Sequence, residues 1–326
     1  MWRWFASHKR KLPWRDLKIK DDTQRAYMIL VSEVMLQQTQ VPRVEILFKR
    51  FLEQFPTIHH LARASNREVI LAWRGMGYNS RALRLRDAAR TIVGNYDGQF
   101  PREMSDLLSI KGIGAYTAAA IRNFAFDLPT PCIDTNIRRI VHRVFVGPDL
   151  ADGTFGRSDK QLLPLIHNVL SIALETHSSS NQQRATLQCG SGQASRRTRD
   201  WHAALMDFGT AVCQKGNPRC SICPLAEAKI CKSAFRVKLN KKVMRNKRAE
   251  PGRLVGSAFV PNRIFRGRVV EELRDADRGL TLEELGKRVC IDWDDVAHRA
   301  WLRGLVKKLI AERIVTARRQ RYLLLG

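Results

Sequence analysis

Two carboxyls, four crowded thiols and a glycine-rich turn are the groups in this sequence whose types and spacing could do chemistry. Glu33 stands in "LVSEVMLQQTQV" among apolar residues at helical spacing. A carboxyl in apolar surroundings has its charged form disfavoured and can hold a proton near neutrality. On a solvent-facing helix side the same residue would do nothing of the kind. Asp134, in "CIDTNIRR", comes just before a helix. Amide N–H groups and the helix dipole favour an ionised carboxylate there, and a plain helix cap is the simpler use of the same position. One neutral and one ionised carboxyl suit cleavage of an N-glycosidic bond. The acid protonates the leaving base while the anion supports an oxocarbenium-like sugar.

The thiols are Cys213, Cys220, Cys223 and Cys231, a C-x6-C-x2-C-x7-C array. Structural zinc takes thiols as two short-spaced pairs. One close pair flanked by two distant singles suits an iron–sulfur cluster better, with zinc the alternative. The turn is in "SIKGIGAYTAAAI", where Gly112 and Gly114 permit backbone angles closed to other residues. Lys111, Gly112, Ile113 and Gly114 then aim amide N–H groups, at a helix start, toward a phosphate. Such a contact positions DNA without reading its sequence.

The chain that must position these groups has 326 residues, 44% hydrophobic and 27% charged, enough for one large or two ordinary domains. Lys+Arg 57 against Asp+Glu 31 gives a formal charge of +26, which points to a polyanionic partner. No signal peptide and no apolar run of membrane-spanning length is visible. The protein is therefore expected in the cytoplasm, at the nucleoid, with reduced thiols and no membrane contact.

Apolar spacings of three and four recur from about 25 to 175, without alternating strand patterns. Residues 176–200, polar and rich in Ser, Gln and Arg, read as a disordered insertion with Cys189 as a free surface thiol. The helical pattern returns at "WHAALMDFGTAVC" before the thiols. The reading thus divides the chain into a catalytic domain over 1–235, a basic linker over 236–262 and a small module over 263–326. In that module "IFRGRVVEELRDA" and "DVAHRAWLRGLVKKLIAERI" are helical, and Thr281 to Glu284 is a capping box. "IVTARRQRYLLL" reads as two strands around a basic turn, so the module is winged-helix-like. Its charged helix 295–312 suits either a DNA groove or a protein docking surface.

Six motifs in order, "LPWR" at 12–15, "SEVMLQQTQV" at 32–41, "GMGYNSRA" at 75–82, the turn, "IDTN" at 133–136 and "ALMDFGTAVC" before the thiols, carry a resemblance. Over roughly 1–233 the chain resembles the helix-hairpin-helix (HhH-GPD) DNA glycosylases, most of all the MutY-like adenine DNA glycosylases. The resemblance implies a mostly α fold of two helical modules with a [4Fe-4S] cluster loop. It implies a monomeric base-excision-repair enzyme acting on double-stranded DNA with a mismatched or damaged pair, adenine opposite 8-oxoguanine or G. Glu33 falls on the adenine-protonating acid, Asp134 on the carboxylate that stabilises or captures the sugar cation, and Asn136 on the asparagine beside it. Gln38, Thr39, Met76 and Tyr78 match positions that enter or flank the opened base stack, since the target base must leave the helix. Tyr116 stands where the related endonuclease III has a lysine. A phenol cannot form a Schiff base, so the implied reaction is hydrolysis without efficient strand cleavage.

The chain departs from the MutY pattern in four places. "SIKGIG" replaces "LPGVG", "DTN" replaces "DGN", and the last cysteine gap has seven residues where five are usual. The winged-helix-like module stands where the 8-oxoguanine-recognition domain is expected. A thymine or uracil mismatch glycosylase shares the tyrosine and the cluster, and Asn79 leans that way. A non-catalytic iron–sulfur DNA-binding regulator is the rival from another class, but such a binder needs neither Glu33 nor Asp134.

Overall fold

The computed structural model of the chain describes residues 1–184, 197–237 and 250–326. Helices dominate it, as the apolar spacing predicts. In chain order they are α1 (Trp2–His8), α2 (Asp22–Leu36), α3 (Val41–Gln54), α4 (Ile58–Arg63), α5 (Asn66–Ala72), α6 (Ser80–Asn95), α7 (Met104–Ser109) and α8 (Ala115–Phe124). There follow α9 (Thr135–Val141) running into a π turn at His142–Val146, α10 (Asp159–Arg184), α11 (Thr198–Ala211) and α12 (Pro224–Glu227). The last three are α13 (Asn262–Arg274), α14 (Leu282–Val289) and α15 (Asp295–Ala311). Strands β1 (Gly252–Val255) and β2 (Ala258–Pro261) form one antiparallel hairpin, β3 (Val315–Arg318) and β4 (Arg321–Leu324) another.

Two compact units result. One holds Met1–Ile29, Arg102–Ser109 and the described part of Ile113–Asn246; the other holds Leu30–Pro101, Ile110–Gly112 and the described part of Lys247–Gly326. The second unit therefore joins Leu30–Pro101, from within the expected 1–235 domain, to the C-terminal module. Helices α3–α6 share a unit with the C-terminal module, because buried polar side chains tie them together. The insertion read as disordered over 176–200 is corrected in part. Helix α10 continues to Arg184 and α11 begins at Thr198, while Cys189 lies outside the described residues. The expected linker 236–262 is likewise structured from Gly252, where β1 begins.

The first unit is built on Ile137, Ile140, Leu162, Ile166, Trp201, Leu205 and Phe208, with Tyr116 and Ile133 packed against them. Its polar anchor is Asp207 on α11, whose side chain is 1% exposed. Arg15 donates to both of its oxygens at 2.7 and 2.8 Å, and Arg10 Nε donates at 2.6 Å. "LPWR" and "ALMDFGTAVC" thus meet at one ion cluster, and loss of either partner leaves a buried charge that costs about 3–5 kcal/mol.

In the second unit Phe51 packs edge-on against Phe55 and Trp73. Ser65 and Glu68 close a capping box at the start of α5. In the C-terminal module Phe265, Val269 and Leu273 of α13 are buried, as are Leu285 of α14 and Leu302, Leu305, Val306 and Leu309 of α15. The capping box predicted at Thr281 and Glu284 is present. A single bridge, Leu280 to Tyr322, adds a third strand between α13 and α14. Helix, strand, helix, helix and hairpin in that order are a winged helix. Arg319 and Gln320 make its wing turn with φ of 45° and 64°, a left-handed pair that matches the strand twist.

Candidate active site and cysteine loop

Asp134 caps α9. Its Oδ1 accepts the Ile137 N–H at 2.6 Å and its Oδ2 accepts from Asn136 Nδ2 at 2.8 Å. Sequence reasoning expects a lowered pKa at such a cap. Its pKa is instead raised: burial is the largest influence and outweighs the opposing Ile137 and Asn136 hydrogen bonds and Arg139. The carboxylate is thus oriented by two donors while its charged form is disfavoured by burial, so a cation formed beside it would be stabilised.

Asn136 is held from its other end. Its Oδ1 accepts from Arg139 Nη2 at 2.7 Å, one helical turn away. The same guanidinium donates to the carbonyls of Gly209 at 2.7 Å and Cys213 at 2.6 Å. Gly209, inside α11, leaves room for Asn136: an added Cβ would stand 2.6 Å from Asn136 Cβ and 2.8 Å from Oδ1. A continuous chain therefore runs from the first cysteine's carbonyl through Arg139 and Asn136 to Asp134. Neither Arg139 nor Gly209 was singled out in the sequence. Both were legible in principle, Arg139 by its i+3 spacing from Asn136 and Gly209 as an isolated glycine in a helical pattern.

The cysteine loop is pinned to the π turn that follows α9. Arg143 forms a buried ion pair with Asp149 at 2.6 Å and donates to the carbonyls of Gln214 at 2.7 Å and Lys215 at 3.0 Å. It also reaches Cys213 Sγ at 3.6 Å, and Cys231 Sγ lies 3.6 Å from the Arg143 carbonyl. Burial pushes the thiols of Cys223 and Cys231 up, and the charges of neighbouring cysteines push the same way. The four sulfurs are thus brought within electrostatic reach of one another and of a cationic guanidinium. Among the described residues no three Cys, His, Asp or Glu are drawn to metal-ligand distance. The donor set, four soft thiols with charge compensation from Arg143, fits an iron–sulfur cluster.

Tyr116, the second residue of α8, is half-buried against the Ile137 core that also carries Ile133. The turn before it has Lys111, Gly112 and Gly114 exposed and Ile113 buried at 4%. Gly112 has φ +104°, and a Cβ there would lie 3.2 Å from the Arg84 carbonyl. Gly114 is an ordinary extended residue with φ −92° that leads into α8 without a side-chain cap. The glycine requirement therefore rests on Gly112 alone, and only the backbone of Ile113 is available for a phosphate.

In the second unit Glu33 is 8% exposed, with Ser32, Val34 and Met35 buried around it, so it does not face solvent. The loops that follow α2 and α5 are organised by Arg81, which is 4% exposed. Its guanidinium donates to the carbonyls of Val34 at 2.8 Å and Met76 at 3.2 Å, to that of Gln37, and to Thr39 Oγ1 at 3.2 Å. It also lies 5.6 Å from the ring centres of both Trp73 and Tyr78. Burial pulls its pKa down to about 10. Gln38 and Tyr78 are exposed on these loops with φ of 56° and 46°. Met76 is 5% exposed and points into the core, so it supports the loop from inside and is not a residue of the DNA face.

Glu33 lies in the second unit and Asp134 in the first. The family described as the HhH-GPD superfamily base excision DNA repair proteins matches residues 31–153, which include both carboxyls. The adenine DNA glycosylase of Mycolicibacterium smegmatis is 33% identical over 282 residues, 86% of this chain and 82% of that protein. The adenine DNA glycosylase of Rattus norvegicus is 36% identical over 239 residues, 72% of this chain and 41% of its own length. A thermostable thymine-DNA glycosylase has the same fold, with a TM-score of 0.55 over 72% of this chain and 93% of its own, at 24% identity. The chain belongs to the adenine DNA glycosylases of the HhH-GPD base-excision-repair superfamily.

Proposed function

We propose that this protein hydrolyses the N-glycosidic bond of mispaired adenine, opposite 8-oxoguanine or G, acting as a monomer on cytoplasmic chromosomal DNA. The observation that carries this reading is Asp134, a half-buried carboxyl aimed by Asn136 and the Ile137 amide. Glu33, buried in an apolar helix, donates a proton to a ring nitrogen of the extruded adenine, so the base leaves neutral with the electrons of the broken C1′–N9 bond. The negative charge of Asp134 then stabilises the sugar cation. Water adds at C1′ and returns its proton to a carboxylate. Tyr116 offers no amine to the sugar, so the strand stays intact.

Cys213, Cys220, Cys223 and Cys231 would hold a [4Fe-4S] cluster. Its four iron–thiolate bonds would tie together the loop whose first carbonyl accepts from Arg139. The test is a panel of duplexes carrying 8-oxoguanine:A, G:A, G:T or G:U, treated with alkali after reaction. Adenine release with alkali-dependent strand breaks is expected. Release of thymine or uracil and never adenine would overturn the reading in favour of a mismatch glycosylase.

A further inference from the structure

The winged helix is fastened to the part of the second unit that carries the exposed Tyr78 loop. Arg274, 3% exposed, donates to the Ile70 carbonyl at 3.0 and 3.2 Å and to Asn79 Oδ1 at 3.1 Å. Asn66 Nδ2 donates to the Arg313 carbonyl at 2.6 Å, and Arg313 pairs with Asp87 at 2.5 Å. Arg74 pairs with Asp275 at 2.5 Å, and Arg263, paired with Glu250 at 2.8 Å, lies within electrostatic reach of Tyr78. Docking uses the end of α13 and the turn between α15 and β3. It leaves the outer face of α15 and the wing turn in solvent.

That free face has a consistent charge. Leu302, Leu305, Val306 and Leu309 turn inward, so the opposite side of α15 presents Ala300 and Gly304 flanked by Arg303 and Lys307. Arg318 and Arg319 stand exposed at the wing. Elsewhere in the module basic side chains are mostly neutralised, Arg288 by Glu272, Arg299 by Asp295 and Arg321 by Glu284. Arg303, Lys307, Arg318 and Arg319 enter no ion pair among the described residues. Gly304 is compatible with an outside partner: nothing lies within 4 Å of where its Cβ would be, so no packing inside the protein requires glycine there, and its missing side chain leaves room for close approach.

We propose that the winged helix is a second duplex-binding surface, with α15 in a major groove and Arg318 and Arg319 on the neighbouring backbone. It would grip the DNA flanking the site where the Tyr78 loop opens the stack. The fixed docking converts this grip into register, because α15 and Tyr78 belong to one compact unit. The inference rests on the proposed function only for the presence of a duplex.

The test is the full-length variant Arg303→Ser, Lys307→Ser, Arg318→Ser, Arg319→Ser, whose positions are exposed and unpaired. Binding to a homoduplex is measured from 0.05 to 0.2 M salt. Each lost phosphate contact lowers the salt slope by about 0.9, so the two wing contacts alone should make wild-type affinity fall about 10-fold further than the variant's across this range. Trimming one flanking arm of the duplex should weaken the wild type about 10-fold or more, following from the same contacts, and leave the variant unchanged. Single-turnover excision at saturating protein should be unchanged, which also reports that the variant is folded. An unaltered salt slope, or equal loss by both proteins on arm trimming, overturns the proposal and assigns the face to an acidic protein surface. A wild type that excises no adenine yet shows the slope difference overturns the activity reading and keeps this one.

Discussion

Gly209→Ala isolates the positioning of Asp134 from the folding of the helix that carries it. Alanine in a helix interior is about 1 kcal/mol better than glycine. Against this, the new methyl would sit 2.6 Å from Asn136 Cβ, 2.8 Å from Oδ1 and 2.9 Å from Cγ. Overpacking of this size costs about 1–3 kcal/mol, so global stability should change by no more than about 2 kcal/mol. Relief requires the Asn136 Cβ, and with it the first turn of α9, to move away from α11, and that strains the Asn136 bonds to Asp134 at 2.8 Å and from Arg139 at 2.7 Å. Hydrogen bonds to charged groups are worth about 1.5–3 kcal/mol each. If half of one such bond is lost in the transition state, excision slows about 10-fold; loss of a full bond slows it about 100-fold.

The assay is single-turnover release of adenine from an 8-oxoguanine:A duplex at saturating protein, beside urea unfolding of the same samples. Asn136→Gly supplies the control, because it removes the Cβ as well as the amide. If the methyl acts by displacing Asn136, it should cost nothing further in rate once that side chain is gone, and the double variant should match Asn136→Gly. Gly209→Ala at a rate within twofold of wild type, or penalties that multiply in the double variant, would refute the chain of contacts as the support of Asp134.

Other expectations follow from single side chains. Glu33→Gln should abolish adenine release while duplex affinity stays within about threefold, since the proton donor alone is lost; wild-type release would falsify its role. Tyr116→Lys should introduce strand cleavage trapped by borohydride, because an amine can capture C1′; intact strands would place residue 116 out of reach of the sugar. Anaerobically purified protein should be brown with about four irons per chain, and colourless protein with stoichiometric zinc would remove the cluster. Burial lowers the pKa of His202 to about 4, with its Nδ1–H donating to the Thr198 carbonyl at 2.8 Å. A depressed pKa gives stability that is present above about 6.5 and lost as pH falls toward about 4. That loss is about 3 kcal/mol. His202→Gln should flatten this slope in urea titrations, and an unchanged slope would assign acid sensitivity elsewhere. Asp134 runs the other way: its raised pKa destabilises the fold as pH rises past the carboxylate range. Asp134→Asn keeps the Ile137 cap but turns the second acceptor into a donor facing Asn136 Nδ2, so excision should collapse and the decline in stability above the carboxylate range, seen in urea titrations of the wild type, should disappear.

Local chemistry was the legible part of this molecule. Thr281 and Glu284 announced their capping box because four residues suffice to form it, and the helices showed in apolar spacing. The chemistry-bearing residues were readable one by one, yet their electrostatic state was not. The position of Asp134 before a helix argues for a lowered pKa, and only the packed surroundings disclose that burial wins. Met76 shows the same limit, since a residue next to an exposed tyrosine in a turn gives no hint in sequence of pointing inward. The unit boundaries were hidden for a related reason. Arg274 bonding Ile70 and Asn66 bonding Arg313 are contacts more than 200 residues apart in the chain, and no composition shift records them.

Arginine does most of the long-range work that the sequence concealed. Arg81 gathers carbonyls from the end of α2 and from the Met76 turn, Arg139 gathers those of Gly209 and Cys213, and Arg143 those of Gln214 and Lys215. Five donors in a rigid plane let one side chain satisfy several loop carbonyls at once, which lysine cannot do with the same geometry. A formal charge of +26 therefore overstates the surface available to phosphates, because these guanidiniums are committed to internal acceptors. The cations that remain for DNA are the exposed ones without acidic partners. In the C-terminal module they include the α15 face and the wing. Conservative Arg→Lys changes separate the two classes. At Arg81 or Arg139 lysine should slow excision at saturating DNA, because loop carbonyls lose their partners. At Arg303 or Arg319 it should leave both salt slope and rate nearly unchanged, because only charge is used there. Equal tolerance at all four positions would show that the buried arginines act as charges and not as scaffolds.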